Sequence, residues 1–352
     1  MYIENILNIA VQKNASDILI VAGLPVSFRI NGVINNEDSE RLMPDDTEHL
    51  ITDIYGLAKD RDMLKIHSQG DDDFSFSLPG LSRFRVNILK QRDSLAAVIR
   101  VISFVLPDRL ALEIPDEVMA FCNFNKGLIL VTGPAGSGKS TTLACMIDQI
   151  NRTRSSHIIT IEDPIEFLHR HQLSIVTQRE LASDTMSYEA ALRAALRQSP
   201  NIILLGEMRD YDTIKAVITA AETGHLVIST LHTTDAASTI DRIVDIFPPE
   251  QQQQIRVQLS MVLRGVISQQ LIPTITGKVV PAFEIMQVNI AIRTMIRESK
   301  THQMNSVIQS SSSEGMISMD SSLLQLVKNK RITSEEALNH SNNPEQLAKK
   351  LL

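Results

Sequence analysis

The chain has no tryptophan, and aromatic residues make up only 4% of its 352 residues. Platforms on which exposed bases could stack are therefore scarce. Positive charge is outnumbered as well: 34 Lys and Arg stand against 41 Asp and Glu, for a formal net charge of −7. A protein built to grip nucleic acid needs clustered cations that displace counterions, so no direct nucleic-acid partner is expected. Cysteine is almost missing. Cys122 and Cys145 form no metal-ligand pattern and read as core thiols of a reduced, cytoplasmic protein. Long apolar runs are missing too. Stretches such as Leu128–Val131 and Ile202–Leu205 suit buried strands and are far too short to span a bilayer. Residues Met1–Asn5 lack a basic region, and no secretory signal is expected there.

What is present divides the chain in two, as its length predicts. A helical stripe of Ile3, Ile6, Leu7, Ala10 and Val11 opens it. Strand-like runs at 18–21 and 26–30 follow, and an Asn31-Gly32 turn leads into Val33-Ile34, a hairpin signal. Residues 45–67 read mostly helical, and β-rich stretches recur at 74–76, 83–89 and 95–102. Residues 1–104 are thus expected to form a small α+β domain with an antiparallel sheet. A linker is expected at 105–115 and a second domain at 116–352. In the second domain, strands at 128–131, 158–161, 202–205 and 226–231 alternate with helices at 139–150, 188–196 and 212–222. That order predicts an α/β fold with a mostly parallel, helix-covered sheet. Leu143, Met146, Ile147 and Ile150 form one buried stripe, and Ile214, Val217, Ile218 and Ala221 another. From about 289 the tail reads helical, with Thr333 and Glu336 as a capping box. Ser310–Ser313 is expected to be a flexible loop.

Chemistry concentrates at a few strand ends. Gly133-Pro134-Ala135-Gly136-Ser137-Gly138-Lys139-Ser140 follows an aliphatic run and precedes a helix, the context a phosphate-binding loop requires. Its glycines permit a tight turn whose N–H groups point inward, and the helix adds its positive N-terminal dipole. Lys139 would reach the β- and γ-phosphates of ATP, Ser140 would hold Mg²⁺, and Thr141 would continue the cradle. Ile202–Leu205 delivers Glu207 at a carboxyl end that should border the nucleotide, for the Mg²⁺ shell or the attacking water. Glu162, Asp163 and Glu166 crowd another strand end, where Pro164 would stiffen the loop and Glu166 could act as general base. His225 and His232 bracket Leu226–Leu231. Only His232 falls at the phosphate end, and His225 is less easily placed.

These blocks, in this order, resemble the secretion and pilus ATPase superfamily, and within it the type IV pilus retraction ATPases. The matching stretches are GPAGSGKSTTLA (133–144), TIEDPIEFLH (160–169), ALRQSPNIILLGEMRD (195–210) and TAAETGHLVISTLHT (219–233), with DFSFSLPGLSRFRVN (73–87) in the first domain. AIRTMIRE (291–298) is close to the retraction-type signature, differing at Thr294 and Met295. On a helix its Ile292, Met295 and Ile296 share one face, with Arg293 and Arg297 on another. Ala135 stands where the family usually has threonine.

The resemblance implies a PAS-like first domain, a RecA-like ATPase domain and a homohexamer with nucleotide between domains. It implies Glu166 as general base, Glu207 as the Walker B carboxylate beside Arg209, and His225 with His232 as a pair. Arg85 and Arg100 are implied as charge-neutralising fingers, with their service to the same or a neighbouring subunit left open. The implied setting is the inner face of the cytoplasmic membrane. The implied partners are the inner-membrane pilus platform protein and, as an option, a second retraction ATPase. The missing paired cysteines of the extension-type zinc site favour the retraction branch. Three rivals stand beside it: an extension or secretion ATPase, a nucleotide-binding regulatory subunit, and a RecA-like DNA motor that the acidic balance disfavours.

Overall fold

The computed structural model describes every residue except Met1, Asn31, Asp38, Ser39, Asp60, Ser103 and Leu352. The chain forms two compact units, Met1–Val105 with Glu166–Leu168, and Leu106–Ile165 with His169–Leu352.

The first unit runs α1 (Ile3–Gln12), β1 (Asp17–Ile20), β2 (Ser27–Ile30), β3 (Val33–Asn36), α2 (Pro44–Leu57), α3 (Leu64–Gln69), β4 (Asp71–Leu78), β5 (Ser82–Gln91) and β6 (Ser94–Ile102). Its strands lie in the order β3-β2-β1-β6-β5-β4, and each neighbouring pair is antiparallel. Period-two alternation explains its layers. Phe74, Phe76, Phe84, Val86, Ile88 and Ile99 share a core with Ile3, Ile6 and Leu7 of α1 and with Leu50, Ile51 and Ile54 of α2. Arg83, Arg85 and Arg100 take the alternate positions. The buried Asp72 accepts a 2.9 Å hydrogen bond from Tyr55 Oη and pairs with Arg61 and Lys65. Burial opposes its charge, but hydrogen bonds from Arg61, Tyr55 and Lys65 outweigh that and hold the carboxyl below its usual range. Of the expected Asn31-Gly32 turn, Asn31 lies outside the described residues. Gly32 has φ +82°.

The second unit runs α4 (Asp116–Ala120), β7 (Gly127–Thr132), α5 (Lys139–Thr153), β8 (His157–Glu162), β9 (Ile175–Glu180), α6 (Tyr188–Ala195), β10 (Ile202–Leu205), α7 (Tyr211–Glu222), β11 (Leu226–Leu231), α8 (Ala236–Asp245), α9 (Pro249–Val262), β12 (Leu263–Pro273), β13 (Val279–Gln287) and the helical tail α10 (Ile290–Arg297), α11 (Met304–Ser310), α12 (Met319–Lys328), α13 (Ser334–Asn339) and α14 (Pro344–Leu351). The sheet order is β13-β12-β7-β11-β10-β8-β9. Six strands are parallel, and β13 alone runs back against β12. Residues alternate between two cores. Leu128, Leu130, Ile203 and Leu205 pack with Ile214 and Val217 of α7, while Ile129, Val131, Ile202 and Leu204 pack with Leu143, Met146 and Ile150 of α5. Helices on both faces are why these strands read as unbroken apolar runs.

The expected α/β fold, antiparallel first sheet and mostly parallel second sheet are all present, with additions. Sequence reading had no strand for β9, β12 or β13. The serine run is not a simple loop: Ser310 closes α11 and Ser312–Glu314 forms a 3₁₀ turn, ended by Gly315 at φ +80°. Residues 106–115 group with the second unit, where Ile114 is buried and Glu113 pairs with Arg331 at 2.7 Å. Thr333 caps α13 by accepting from the Glu336 N–H at 3.1 Å. No helix among the described residues is long and apolar enough to cross a membrane.

Candidate functional site

Because β7, β8, β10 and β11 are parallel, their carboxyl ends share one edge of the sheet. Register sets them side by side: Leu231 of β11 lies opposite Thr132 of β7, and Leu205 of β10 lies opposite Ser229 of β11. Every residue of 133–140 therefore emerges on the same edge as Glu162, Glu207 and His232.

The loop after β7 is shaped by its glycines. Gly133 has φ +144° and Gly138 has φ +88°, where a side chain would be strained. Gly138 in the left-handed region starts α5, so Lys139, Ser140 and the half-buried Thr141 occupy its first turn. Pro134, Ala135 and Gly136 are exposed, whereas Ser137 is buried. The Lys139 ammonium donates to the carbonyls of Gly133 (2.8 Å) and Pro134 (2.9 Å), so it bends back over the loop. The Ser137 Oγ is buried with no hydrogen-bond partner among the described residues, the kind of orphan an anion or water would satisfy.

Glu207 lies two residues beyond β10, with its side chain 13% exposed. One carboxylate oxygen pairs with Arg209 Nε, and the other faces His232 Nε2 at 3.2 Å. The two are held on separate strand ends, and Thr230 Oγ1 donates to the Gly206 carbonyl at 2.6 Å to tie those ends together. Gly206 is needed for close approach, since a Cβ there would stand 2.9 Å from Tyr188 Oη. Burial raises the Tyr188 hydroxyl pKa, and the acidic neighbours Asp163 and Glu207 add to it. Glu162 accepts from Thr160 Oγ1 at 2.6 Å. Glu166 is exposed and falls in the stretch that groups with the first unit.

His225 lies at the amino end of β11, as the sequence order implied, away from the edge that carries the 133–140 loop, with Nδ1 within 3.0 Å of the Ala220 carbonyl and 3.2 Å of Thr223 Oγ1. It closes the turn after α7 and does not join His232. In the first unit, Arg85 and Arg100 are direct cross-strand partners on β5 and β6. Arg85 forks onto Asp73 at 2.7 and 3.1 Å, and Arg100 donates to Asp17 at 3.2 Å. Those carboxylates offset the repulsion of two facing guanidinium groups.

Sequence reading missed the residues behind the loop. Ser268 and Gln269 of β12 meet Thr132 and Thr142 at 2.9 and 2.7 Å. Their signal was polar residues inside the apolar run Val266–Ile272. Among the described residues no group of three or more His, Cys, Asp or Glu is gathered for a metal.

Comparison with known proteins agrees with this geometry. The family model "Type II/IV secretion system protein" matches residues 1–348. The chain is 45% identical to the type IV pilus retraction ATPase PilT of Pseudomonas aeruginosa, over 98% of this chain and 99% of that protein. It is 42% identical to a twitching motility protein of Neisseria gonorrhoeae, over 96% and 90%. The crystal structure of the pilus retraction motor PilT with bound ADP superposes with TM-score 0.90 at 47% identity, covering 99% of both chains. The Legionella pneumophila ATPase DotB superposes at 0.80 with 26% identity, over 96% of this chain and 95% of that one. With the match running from the first residue nearly to the last, the chain belongs to the type II/IV secretion system protein family.

Proposed function

We propose that this chain hydrolyses Mg-ATP as one subunit of a hexameric motor that drives retraction of a type IV pilus. The observation that carries the reading is the shared edge on which the 133–140 loop, Glu207, Arg209 and His232 emerge. Likeness to retraction ATPases over almost the full chain supports the direction of the work.

In this reading the loop N–H groups and the α5 dipole hold the phosphates. The Lys139 ammonium leaves the carbonyls of Gly133 and Pro134 for phosphate oxygens. Ser137 gains the partner it lacks. The Ser140 hydroxyl and Glu207 carboxylate are hard oxygen donors suited to Mg²⁺, which would complete its shell from phosphates and water and not from a protein cage. The cation supplies charge neutralisation at the transferring phosphoryl group. Arg209 and His232 hold the Glu207 carboxylate in place. Glu166 accepts the proton of the attacking water as general base. Arg85 and Arg100 release Asp73 and Asp17 to neutralise phosphate charge as fingers. Movement between the two units around bound nucleotide delivers the work to a pilus platform protein at the inner face of the membrane, with a second retraction ATPase as an optional companion.

The test is deletion of the gene in its piliated host, with pilus counting and a twitching assay. Excess pili with lost twitching is the expected result. Bald cells would assign the chain to pilus extension instead.

A further inference from the structure

We propose that Gln269 is a positioning residue that sets the arch of the 133–140 loop and thereby its affinity for nucleotide. The proposal rests on the reading of that loop as a phosphate cradle and adds a residue to it from outside the motif.

Gln269 is 4% exposed, and a buried amide costs stability unless it is hydrogen-bonded. An apolar residue would serve the strand as well, since Val266, Ile267 and Ile272 around it are fully buried. Its position is set by register. Ser268 pairs with Thr132, the last residue of β7, so Gln269 falls one step further, level with the start of the loop. From there it approaches the loop at two points and the helix that follows it at a third. Its main-chain carbonyl lies so close to Gly133 that a Cβ there would collide with it. Its Nε2 stands 2.8 Å from where a Gly138 Cβ would be. Its Oε1 accepts a 2.7 Å hydrogen bond from Thr142 Oγ1.

The third contact is the informative one. A threonine inside a helix commonly returns its hydroxyl to the carbonyl four residues back. Here Thr142 directs it out of α5 to the neighbouring strand. Thr142 is three residues beyond Lys139, so the bond pins the rotation of the turn that carries Lys139 and Ser140. The backbone contact at Gly133 and the side-chain contact at Gly138 bracket the loop. Gln269 thus ties together the strand that enters the loop, its last glycine and the helix that leaves it. At 133 the Gln269 carbonyl requires glycine as well as the backbone angle does, whereas at 138 the angle requires it and the Gln269 amide lies alongside.

The test measures affinity for fluorescently labelled ADP by polarisation on the full chain, with melting temperature alongside. Four proteins are compared with wild type: Gln269→Met, which keeps the volume and loses the hydrogen bond, Thr142→Val, the double variant and Lys139→Ala. Gln269→Met should weaken ADP about tenfold and Thr142→Val about threefold, and the double variant should bind no more weakly than Gln269→Met, because both remove one link. Unchanged affinity in Gln269→Met, even with a lower melting temperature, would overturn the proposal, since a merely structural amide affects stability alone. If Gln269→Met does not fold, unchanged affinity in Thr142→Val overturns it. Additive losses would also do so. Wild-type affinity in Lys139→Ala would instead overturn the phosphate-loop reading beneath it, whereas loss there with full binding in Gln269→Met sinks only the brace.

Discussion

His225 and His232 flank one strand, seven residues and roughly 23 Å apart at about 3.3 Å per residue. Both flank the same apolar run, yet their surroundings differ. His225 closes a turn against Ala220 and Thr223; His232 faces Glu207 on the edge where the 133–140 loop emerges. Strand direction separates them, since in a parallel sheet all carboxyl ends share one edge and that edge collects ligands. The other end has turns to close and caps to satisfy. Residue type and proximity in sequence say little until the strand between them has been given a direction.

The sharpest way to break this contrast is at the loop. Lys139→Ala should lower turnover about 10³-fold, the scale of losing one preorganised electrostatic contact, measured by phosphate release from purified protein. Turnover within tenfold of wild type would remove the loop from the chemistry.

Next in size is an effect under the working edge. Glu284, 2% exposed on β13, accepts hydrogen bonds from the N–H groups of Ala236 and Met319 and from Asn342 Nδ2, at 2.8, 3.4 and 3.1 Å. It thus joins the start of α8, just past the His232 loop, to the tail. Burial pushes its carboxyl up from an ordinary 4.5 to about 7, and nearby Asp235 and Asp320 add to that against the backbone donors. A raised folded pKa means a contribution fully present below pH 4.5 and lost as pH rises to about 7. By linkage that is about 3 kcal/mol. Urea unfolding across this window should show the decline in wild type and a flatter profile in Glu284→Gln. Superimposable pH profiles would contradict it.

Glu207→Gln comes third. It keeps the shape but loses the charge that Arg209 and His232 hold, so turnover should fall about 10²-fold with smaller change in nucleotide affinity. An equal loss of affinity and rate would assign Glu207 to binding alone.

Much of this was legible in the sequence. Glycines at 133, 136 and 138 before Lys139 announce the loop, and the aliphatic run 202–205 announces a strand that delivers Glu207, because both signals are local. The Arg209–Glu207–His232 cluster was half legible: the residues could be named, but their meeting depends on β10 lying beside β11. The strands β9, β12 and β13 were not read. In β12 the polar Ser268, Gln269 and Gln270 interrupt the apolar pattern. Their partners Thr132, Thr142 and His340 lie from 70 to 136 residues away. That His225 and His232 sit at opposite ends of β11 was legible from their flanking the run 226–231, whereas their partners Ala220, Thr223 and Glu207 were not.

The most direct measurement returns to those two histidines. ATP turnover and melting temperature would be measured side by side for His232→Ala and His225→Ala. Loss of the His232 contact should slow turnover about tenfold with little change in melting, while loss of the His225 turn should lower stability by about 1 kcal/mol and leave turnover within about twofold. The reverse pattern, with His225→Ala inactive and His232→Ala near wild-type rate, would contradict the assignment of the chemistry to the carboxyl edge.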